Sequence, residues 1–291
     1  MSKRYALYLG CLASTEQYGY ELSVREVLSF FNIELVYLDG FSCCGEPMKN
    51  INQLLTLYLS ARNIAVADKN NLDICAPCAM CHLSLSETAH ILRGNNDMRN
   101  RVNGILSSEG LEYHGSHKIV HTIDVLYEDV GLDVLKKSVR NHLKGLKVSA
   151  HYGCHLIRPS EIGRPDNSEN PKRIESILEA TGAEIVYYPE RLDCCGAPLL
   201  STHYESALTK TGQKLQSLHE LGVDLLVDVC PWCHKMFDEK QSKSRETVSG
   251  GFDLPVLYLT QLVGLALGLD PDKLGLNLSQ SSVERILSRV K

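Results

Sequence analysis

Short apolar runs alternate along this chain with longer segments whose apolar residues recur at helical spacing. Residues 5–9 form the first such run, which is typical of a parallel strand covered on both faces. The spacing of Val24, Val27, Leu28 and Phe31 predicts an amphipathic helix after it. Further strands are predicted at 33–38, 72–75, 147–152, 184–188 and 223–229, and further helices at about 53–70, 171–181 and 201–221.

The second half of the chain repeats the order of elements in the first half. Each half closes with a segment of strand, turn and helix character, at 120–133 and 256–270. Alternating strands and helices are typical of parallel sheets with helices on their faces. The sequence therefore predicts an α/β protein of two pseudo-symmetric domains, 1–146 and 147–291, each a small, mostly parallel sheet with flanking helices.

The cysteines follow the same repeat. In each half a lone cysteine precedes a Cys-Cys-Gly-x-Pro motif, and a Cys-x-x-Cys-His motif comes next. The first copy contains Cys11, Cys43, Cys44, Cys78 and Cys81, and the second contains Cys154, Cys194, Cys195, Cys230 and Cys233. Each motif follows a predicted strand, and parallel sheets bind ligands beyond the carboxyl ends of their strands. We therefore expect the five thiols of each copy to converge on one site.

Composition and charge narrow the class of protein. A net charge of −5 without a long basic run argues against nucleic-acid binding. The longest apolar stretch, 254–269, is interrupted by Pro255 and by polar residues, so no membrane insertion is expected. No apolar signal region follows the first residues, and we expect a cytoplasmic protein.

In a reducing compartment, eleven cysteines indicate metal ligands rather than disulfides. Structural zinc takes four ligands, commonly from two Cys-x-x-Cys half-sites, whereas each copy here offers one half-site and five thiols. The side chains of adjacent cysteines diverge, so such a pair suits a polynuclear iron–sulfur centre better than a single metal ion. Zinc sites and a thiol redox relay are the alternatives.

The two-copy pattern resembles the family of CCG cysteine-rich domain proteins that includes the B subunit of heterodisulfide reductase from methanogenic archaea. The resemblance covers essentially the whole chain and rests on both sets of motifs. It implies two noncubane 4Fe-4S clusters, one held by each set of five cysteines. It also implies a function in methanogenesis, in which the mixed disulfide of coenzyme M and coenzyme B is reduced to two thiols between the clusters.

The resemblance implies partners as well. No dinucleotide fingerprint follows the first predicted strand and no ferredoxin-type cysteine run is present, so electrons must come from another protein. The family implies the C and A subunits of heterodisulfide reductase and, upstream, a hydrogenase or a formate dehydrogenase. The alternatives are a CCG-domain component of thiol:fumarate reduction, lactate utilisation or glycerol phosphate oxidation, or a structural metal-binding protein.

Residues outside the ten cysteines give weaker signals. A substrate with sulfonate and phosphate groups should meet cations, and the candidates are Lys49, Arg158, Arg164, Lys172, Arg173 and Lys235. His82 and His234 recur at matching positions, and structural hydrogen bonding is favoured for them over proton donation. Trp232 is expected to serve packing. The repeat register sets Val227 opposite Cys75, the eleventh cysteine, which predicts a small buried thiol outside the ligand sets.

Overall fold

The computed structural model describes residues 3–162 and 166–290. It contains two parallel sheets of four strands, one in each half of the chain. The first sheet consists of β1 (Arg4–Leu7), β2 (Glu34–Val36), β3 (Asp73–Cys75) and β4 (Ile119–Val120), and the second of β5 (Lys147–His151), β6 (Glu184–Ile185), β7 (Leu225–Asp228) and β8 (Val256–Tyr258). Their strand orders, β2-β1-β3-β4 and β6-β5-β7-β8, are equivalent.

Helices connect the successive strands. Those of the first half are α1 (Leu12–Thr15), α2 (Tyr18–Phe30), α3 (Gln53–Lys69), α4 (Ala79–Gly94), α5 (Asn96–Leu106), α6 (Thr122–Asp124) and α7 (Leu132–Ser138). Those of the second half are α8 (Cys154–Ile157), α9 (Arg173–Ala180), α10 (Tyr204–Glu220), α11 (Pro231–His234), α12 (Gln241–Arg245), α13 (Leu259–Ala266) and α14 (Glu284–Leu287). Short 3₁₀ segments lie at Glu46–Met48, Ser107–Glu109, Pro189–Leu192, Ala197–Leu199 and Leu276–Leu278, and π-helical segments at Val125–Gly131 and Lys235–Glu239.

The two sheets share their register as well as their strand order. Leu7 in β1 pairs with Cys75 in β3, and the pair at the same distance before the second lone cysteine is Ala150 with Val227. The sheets therefore confirm the predicted alignment of Cys75 with Val227. All six strand pairings of the described residues are parallel, which confirms the predicted α/β fold built from an internal repeat.

Two of the predicted strands are longer than the observed ones. The apolar runs at 33–38 and 184–188 form only β2 and β6, which are edge strands with one neighbouring strand each. Beyond them the chain turns toward solvent, where Tyr37 is 50% and Tyr187 is 47% exposed. The Cys-x-x-Cys-His motifs themselves are partly helical, because α4 and α11 begin inside them.

Helices from the two halves of the chain pack against one another. α2 packs against α13, and a 2.7 Å hydrogen bond joins the hydroxyls of Ser23 and Thr260 across this contact. The ring of Tyr20 stacks on that of Tyr258, with centroids 4.0 Å apart. Buried apolar side chains from both halves form one continuous core. The two sheets are therefore held against one another by shared packing.

Candidate metal centre

The five thiols of the first set lie together after β1, β2 and β3. Hydrogen bonds between side chains link them in the order Cys11, Cys43, Cys44, Cys81 and Cys78. Cys11 precedes α1, the adjacent pair lies in the loop after β2, and Cys78 is the residue that caps α4. Three separate connections of the fold thus supply one group of thiols.

The second set has the same arrangement. Its thiols are linked in the order Cys154, Cys194, Cys195, Cys233 and Cys230, after β5, β6 and β7. Cys230 directly precedes α11, as Cys78 directly precedes α4. In both sets the lone cysteine and the first cysteine of the pair are partly exposed, while the other three are buried.

The two sets meet at one pair of thiols. The side chains of Cys78 in the first set and Cys230 in the second are direct neighbours, and each shifts the pKa of the other thiol. Beside them α4 packs against α8, and a Cβ added to Gly153 would lie 3.5 Å from the Cβ of Ala79. The sequence predicts two sites without their relative position. The structure joins the ten thiols into one continuous group.

Thiols this close together oppose one another's ionisation. Hydrogen bonds from Cys11 and Cys44 lower the pKa of Cys43 to about 2, and Cys43 in turn raises the pKa of Cys44 to about 12. Hydrogen bonds from its neighbours also lower the pKa of Cys194 to about 2. All five members of a set can become thiolates together only beside positive charge, which metal ions supply.

The glycine of each Cys-Cys-Gly motif has a conformation and a position that exclude larger residues. Gly45 has φ +85° and Gly196 has φ +101°, in the left-handed region that favours glycine. An added Cβ would lie 3.0 Å from the backbone of α3 at Gly45 and 2.7 Å from that of α10 at Gly196. Their N–H groups donate to the Sγ atoms of Cys43 at 3.5 Å and Cys194 at 3.4 Å. The glycine therefore lets the backbone approach the thiols.

Comparison with known proteins identifies this repeated pattern. The family model described as the cysteine-rich domain, CCG, matches residues 5–86 and 148–238. The chain belongs to the CCG cysteine-rich domain family. Each matched segment of this CCG protein begins within the first strand of one sheet and encloses one complete set of five cysteines.

Relatives with assigned roles match the CCG protein along nearly its whole length. The B subunit of the ferredoxin/F420H2-dependent CoB–CoM heterodisulfide reductase of Methanosarcina acetivorans is 35% identical over 97% of this chain and 94% of the relative. The 8-methylmenaquinol:fumarate reductase membrane anchor subunit of Wolinella succinogenes is 33% identical over 95% of this chain and 96% of the relative. Both relatives are reductase subunits, which supports an oxidoreductase role and, with the cysteine-rich domains, iron–sulfur clusters.

A solved structure shares the fold. A hypothetical protein from Helicobacter pylori superposes with a TM-score of 0.77 at 19% sequence identity, over 97% of this chain and 52% of that one. The CCG protein thus spans about half the length of that protein, and the likeness shows the fold alone. Among the residues that the structure describes, no helix is long and apolar enough to cross a membrane.

The surroundings of the second CCG set fit a bound metal–sulfur group. A ring nitrogen of His151 lies within 4.8 Å of the Sγ atoms of Cys195 and Cys233. The Nε2 atom of His151 is buried and has no hydrogen-bond partner in residues 3–162 and 166–290. Buried polar atoms are nearly always paired, so an orphaned one beside thiols fits a bound group with acceptor or ligand capacity. Thiolates and imidazole are also the donor types that iron accepts.

The histidines of the two Cys-x-x-Cys-His motifs are buried. The Nδ1 atom of His234 lies 3.0 Å from a carboxylate oxygen of Asp228, and its ring stacks on Tyr258 with centroids 3.8 Å apart. Burial lowers the pKa of His234, but the Asp228 carboxylate outweighs this and raises it overall. His82 packs edge-on against His121, with ring centroids 6.1 Å apart. These contacts fix the orientation of both rings, and a structural role in preference to proton donation stays a prediction for both residues.

Cys75 lies apart from the ten thiols. Its side chain is fully buried in β3, and burial raises the pKa of its thiol. No hydrogen bond joins Cys75 to another thiol within the described part of the chain. The small buried side chain predicted at this position is therefore what the structure shows.

A cavity of about 480 Å³ lies between the two Cys-Cys-Gly-x-Pro motifs. Its walls come from both halves of the chain, and the lining residues are Glu46, Pro47, Asn50, Met80, His155, Ala197, Pro198, Leu200, Ser201 and Trp232. Half of these residues also line a narrower cleft along all five thiols of the second set. Trp232 was expected to serve packing, but it forms part of both walls. The cavity therefore adjoins the cleft that the thiols line.

The predicted cations that the structure describes do not line this cavity. Lys49 pairs with Glu46 and Glu87, Lys235 with Glu16 and Glu239, and Arg173 with Asp124 and Glu128. Arg158 donates to a backbone carbonyl, Lys172 donates to a tyrosine hydroxyl, and Arg164 lies outside the described residues. Among the lysines and arginines that the structure describes, none lines the cavity. Its titratable lining residues are Glu46 and His155, whose Oε1 and Nε2 atoms are 3.8 Å apart.

Four buried residues that lie beside the thiols are not found by searching the sequence for cysteine motifs. Aligning Cys11 with Cys154 sets Tyr8 opposite His151, and extending the alignment of the Cys-Cys pairs sets Asn63 opposite Lys214. All four side chains are at most 2% exposed. They could have been identified from the sequence by extending the alignment of the two halves from the cysteines to the residues of β1, β5, α3 and α10.

Proposed function

We propose that this chain is the disulfide-reducing subunit of a heterodisulfide reductase. It reduces the mixed disulfide of coenzyme M and coenzyme B to two thiols in methanogenesis. The observation that carries the proposal is the contact between Cys78 and Cys230, because it puts two sets of five thiols side by side. Two adjacent one-electron centres suit a substrate that takes two electrons.

Each half of the chain holds one cluster in this proposal. Residues 1–146 and 147–291 form the two domains, which is supported by one complete sheet and one thiol set in each half. The ligands are Cys11, Cys43, Cys44, Cys78 and Cys81 for the first cluster, and Cys154, Cys194, Cys195, Cys230 and Cys233 for the second. A cubane 4Fe-4S cluster takes four thiolates, so five converging thiols support the noncubane type.

When bound, the two clusters supply the two electrons that the disulfide accepts. The S–S bond breaks, and two protons complete the two thiols. The chain itself provides the walls for the substrate, with Met80 contributed by the first half of the chain and Trp232 by the second. Burial raises the pKa of Glu46, so its carboxyl holds a proton more readily at the edge of this cavity. His155 lies next to Glu46 and to the thiol of Cys154, at 3.3 Å from Sγ.

Electrons reach the chain from partner proteins in this proposal. The partners are the C and A subunits of the reductase, with a hydrogenase or a formate dehydrogenase upstream. The support is the relative from Methanosarcina acetivorans, which is named as one subunit of a larger reductase.

The apolar wall of the cavity favours a second candidate, a subunit of a quinol-linked reductase. Met80, Leu200 and Trp232 offer a surface for an uncharged carrier with an apolar ring. The relative from Wolinella succinogenes is named as part of an 8-methylmenaquinol:fumarate reductase. In this candidate the same two clusters pass electrons from a quinol to another protein of the complex.

The test is reconstitution of the purified chain with iron and sulfide without oxygen, followed by turnover with a reduced viologen as electron donor. We expect about eight irons per chain, as two 4Fe-4S clusters require. Thiol formation is then measured separately with the coenzyme M–coenzyme B disulfide and with an uncharged dialkyl disulfide. Oxidation of a soluble menaquinol analogue is the parallel assay.

The outcomes separate the candidates. Faster reduction of the heterodisulfide than of the uncharged disulfide supports the first proposal. Quinol oxidation without thiol formation favours the second candidate. Two bound zinc ions and no acid-labile sulfide would overturn both.

A further inference from the structure

Two neutral residues, Tyr8 and Asn63, lie beside the first thiol set. Tyr8 donates its hydroxyl proton to the carbonyl of Ser42 at 2.6 Å and accepts from the amide of Asn63 at 3.2 Å. Asn63 also donates to the carbonyl of Cys43 and accepts from the N–H of Ser42. This pair fixes the loop that carries the first Cys-Cys motif, and it brings no formal charge to the site.

The same positions in the second half carry His151 and Lys214. Lys214 reaches from α10, is 2% exposed, and donates to the backbone carbonyls of Glu190 and of Asp193, the latter at 2.8 Å. Its Nζ atom also lies 3.4 Å from Nδ1 of His151. Like Asn63, Lys214 therefore fixes the loop that carries a Cys-Cys motif, but it does so with an ammonium group.

Lysine is rarely buried without an acidic partner. Lys214 forms no salt bridge among the described residues, and its contacts are the dipoles of two carbonyls and an imidazole. Burial lowers the pKa of Lys214 to about 8, and the nearby thiolates of Cys195 and Cys233 act against that change. The negative charges that act on this ammonium are those of the second thiol set and of the Asp193 carboxylate, and an anionic group bound by the thiols would add to them.

We propose that Lys214 raises the reduction potential of the centre held by the second thiol set above that of the centre held by the first. The inference rests on the proposed iron–sulfur function and goes beyond it, because it assigns different roles to the two clusters. Lys214 is a positioning residue, since it acts on the centre through its charge and through the loop it holds.

The physical reason is the charge added by reduction. A centre that accepts one electron from a partner protein of the reductase becomes more negative by one charge. A buried ammonium stabilises that form because the low dielectric of the interior screens it weakly. Asn63 offers no equivalent charge to the first centre. Electrons therefore reside first on the second centre, whose five thiols all line the narrow cleft.

The experiment is a redox titration of the reconstituted chain, followed by electron paramagnetic resonance. Two backgrounds isolate the centres, one with Cys43 and Cys44 both changed to alanine and one with Cys194 and Cys195 both changed. Lys214→Gln should lower the midpoint potential of the centre left in the first background. It should leave the midpoint potential of the centre in the second background unchanged.

Three further variants control the result. Lys214→Arg keeps the charge and should keep the potential of the second centre near that of the parent chain. Lys210→Gln removes an exposed charge from the same helix and should shift neither centre. If Lys214→Gln does not fold, the combined change His151→Tyr with Lys214→Asn supplies the pair that the first half already accommodates, and the same fall in potential is expected.

An unchanged potential of the second centre, or an equal fall in both centres, overturns the inference. If the chain binds iron and Lys214→Gln shifts only the second centre, but no thiol is formed, the inference about Lys214 holds and the proposed disulfide reduction is wrong. A chain that binds no iron removes both.

Discussion

Behind its thiols the first half of the chain places Tyr8 and Asn63, whereas the second half places His151 and Lys214 at the same positions. A matching contrast lies beside the Cys-x-x-Cys-His motifs. His82 packs against His121 in the first half, while His234 in the second half stacks on Tyr258.

Asp228 extends this second contrast. It pairs with His234, whereas the residue at the equivalent strand position of the first half is Ala76. Burial raises the pKa of Asp228 to about 6 against the opposing effect of His234. The comparison teaches that the repeat kept the thiols and the backbone that presents them, while the surrounding polar groups diverged. Two thiol sets of the same geometry therefore need not form two equivalent redox centres.

The largest expected effect tests whether both halves are needed. Cys44→Ser and Cys195→Ser each remove a buried thiol from one set, and each should abolish disulfide reduction because the reaction needs two electrons. The measurement is turnover together with iron content. A variant with one cluster missing and near-normal turnover contradicts the paired mechanism.

The next prediction tests the register that relates the halves. Cys78→Ala removes a thiol at the junction of the two sets, so the first cluster should be lost or converted. Cys75→Ala, three residues earlier, should keep iron content and activity, and should lower the free energy of unfolding by about 1 kcal/mol at most. Iron analysis and paramagnetic resonance of the two variants, prepared side by side, check this. Cluster loss in Cys75→Ala with retention in Cys78→Ala would show that the ligand assignment of the first half is wrong.

A smaller effect is expected for the glycine that both Cys-Cys-Gly motifs share. Gly45→Ala and Gly196→Ala place a Cβ on left-handed backbone against a helix, so each should lower the free energy of unfolding by roughly 1–3 kcal/mol. Gly104→Ala is the control, because Gly104 lies exposed in α5 with open space at its Cβ position. That change should stabilise the chain by about 0.5–1 kcal/mol. Denaturant unfolding of the metal-free variants gives the values, and equal effects at all three sites would remove the special role of the motif glycines.

The smallest effect concerns His121. It follows Val120, the partner of Cys75, as Tyr258 follows Leu257, the partner of Val227, so the two residues are equivalent. Burial lowers the pKa of His121 to about 4, below its ordinary value. The unfolded chain therefore binds a proton that the folded chain does not, and stability is lost as the pH falls from about 6.5 toward 4, by at most about 1.4 kcal/mol per pH unit. His121→Gln should make this pH dependence shallower in the metal-free protein. The exposed His90→Gln should leave it unchanged, and an unaltered slope in His121→Gln contradicts the prediction.

Much of the fold follows from local pattern. The predicted helix at about 53–70 is α3 to within a residue, and β5 begins at Lys147 as predicted, because long amphipathic segments and continuous apolar runs leave few alternatives. The edge strands β2 and β6 were predicted too long, because an apolar run does not reveal that only one neighbouring strand is present to pair with it.

The features of the candidate site also fall into those that the sequence predicts and those that it does not. The sequence by itself determined the two sets of five cysteines and the exclusion of Cys75, because their spacing, their glycine and histidine neighbours and their order occur twice in one chain. Only the tertiary structure decided that Cys78 meets Cys230 and that Lys214 lies buried near the second set with no salt bridge to any residue that the structure describes. The physical reason is that ligand spacing is a local property of loops after strands. The distance between the two sets, and the charge around each, arise from helices that pack across the halves.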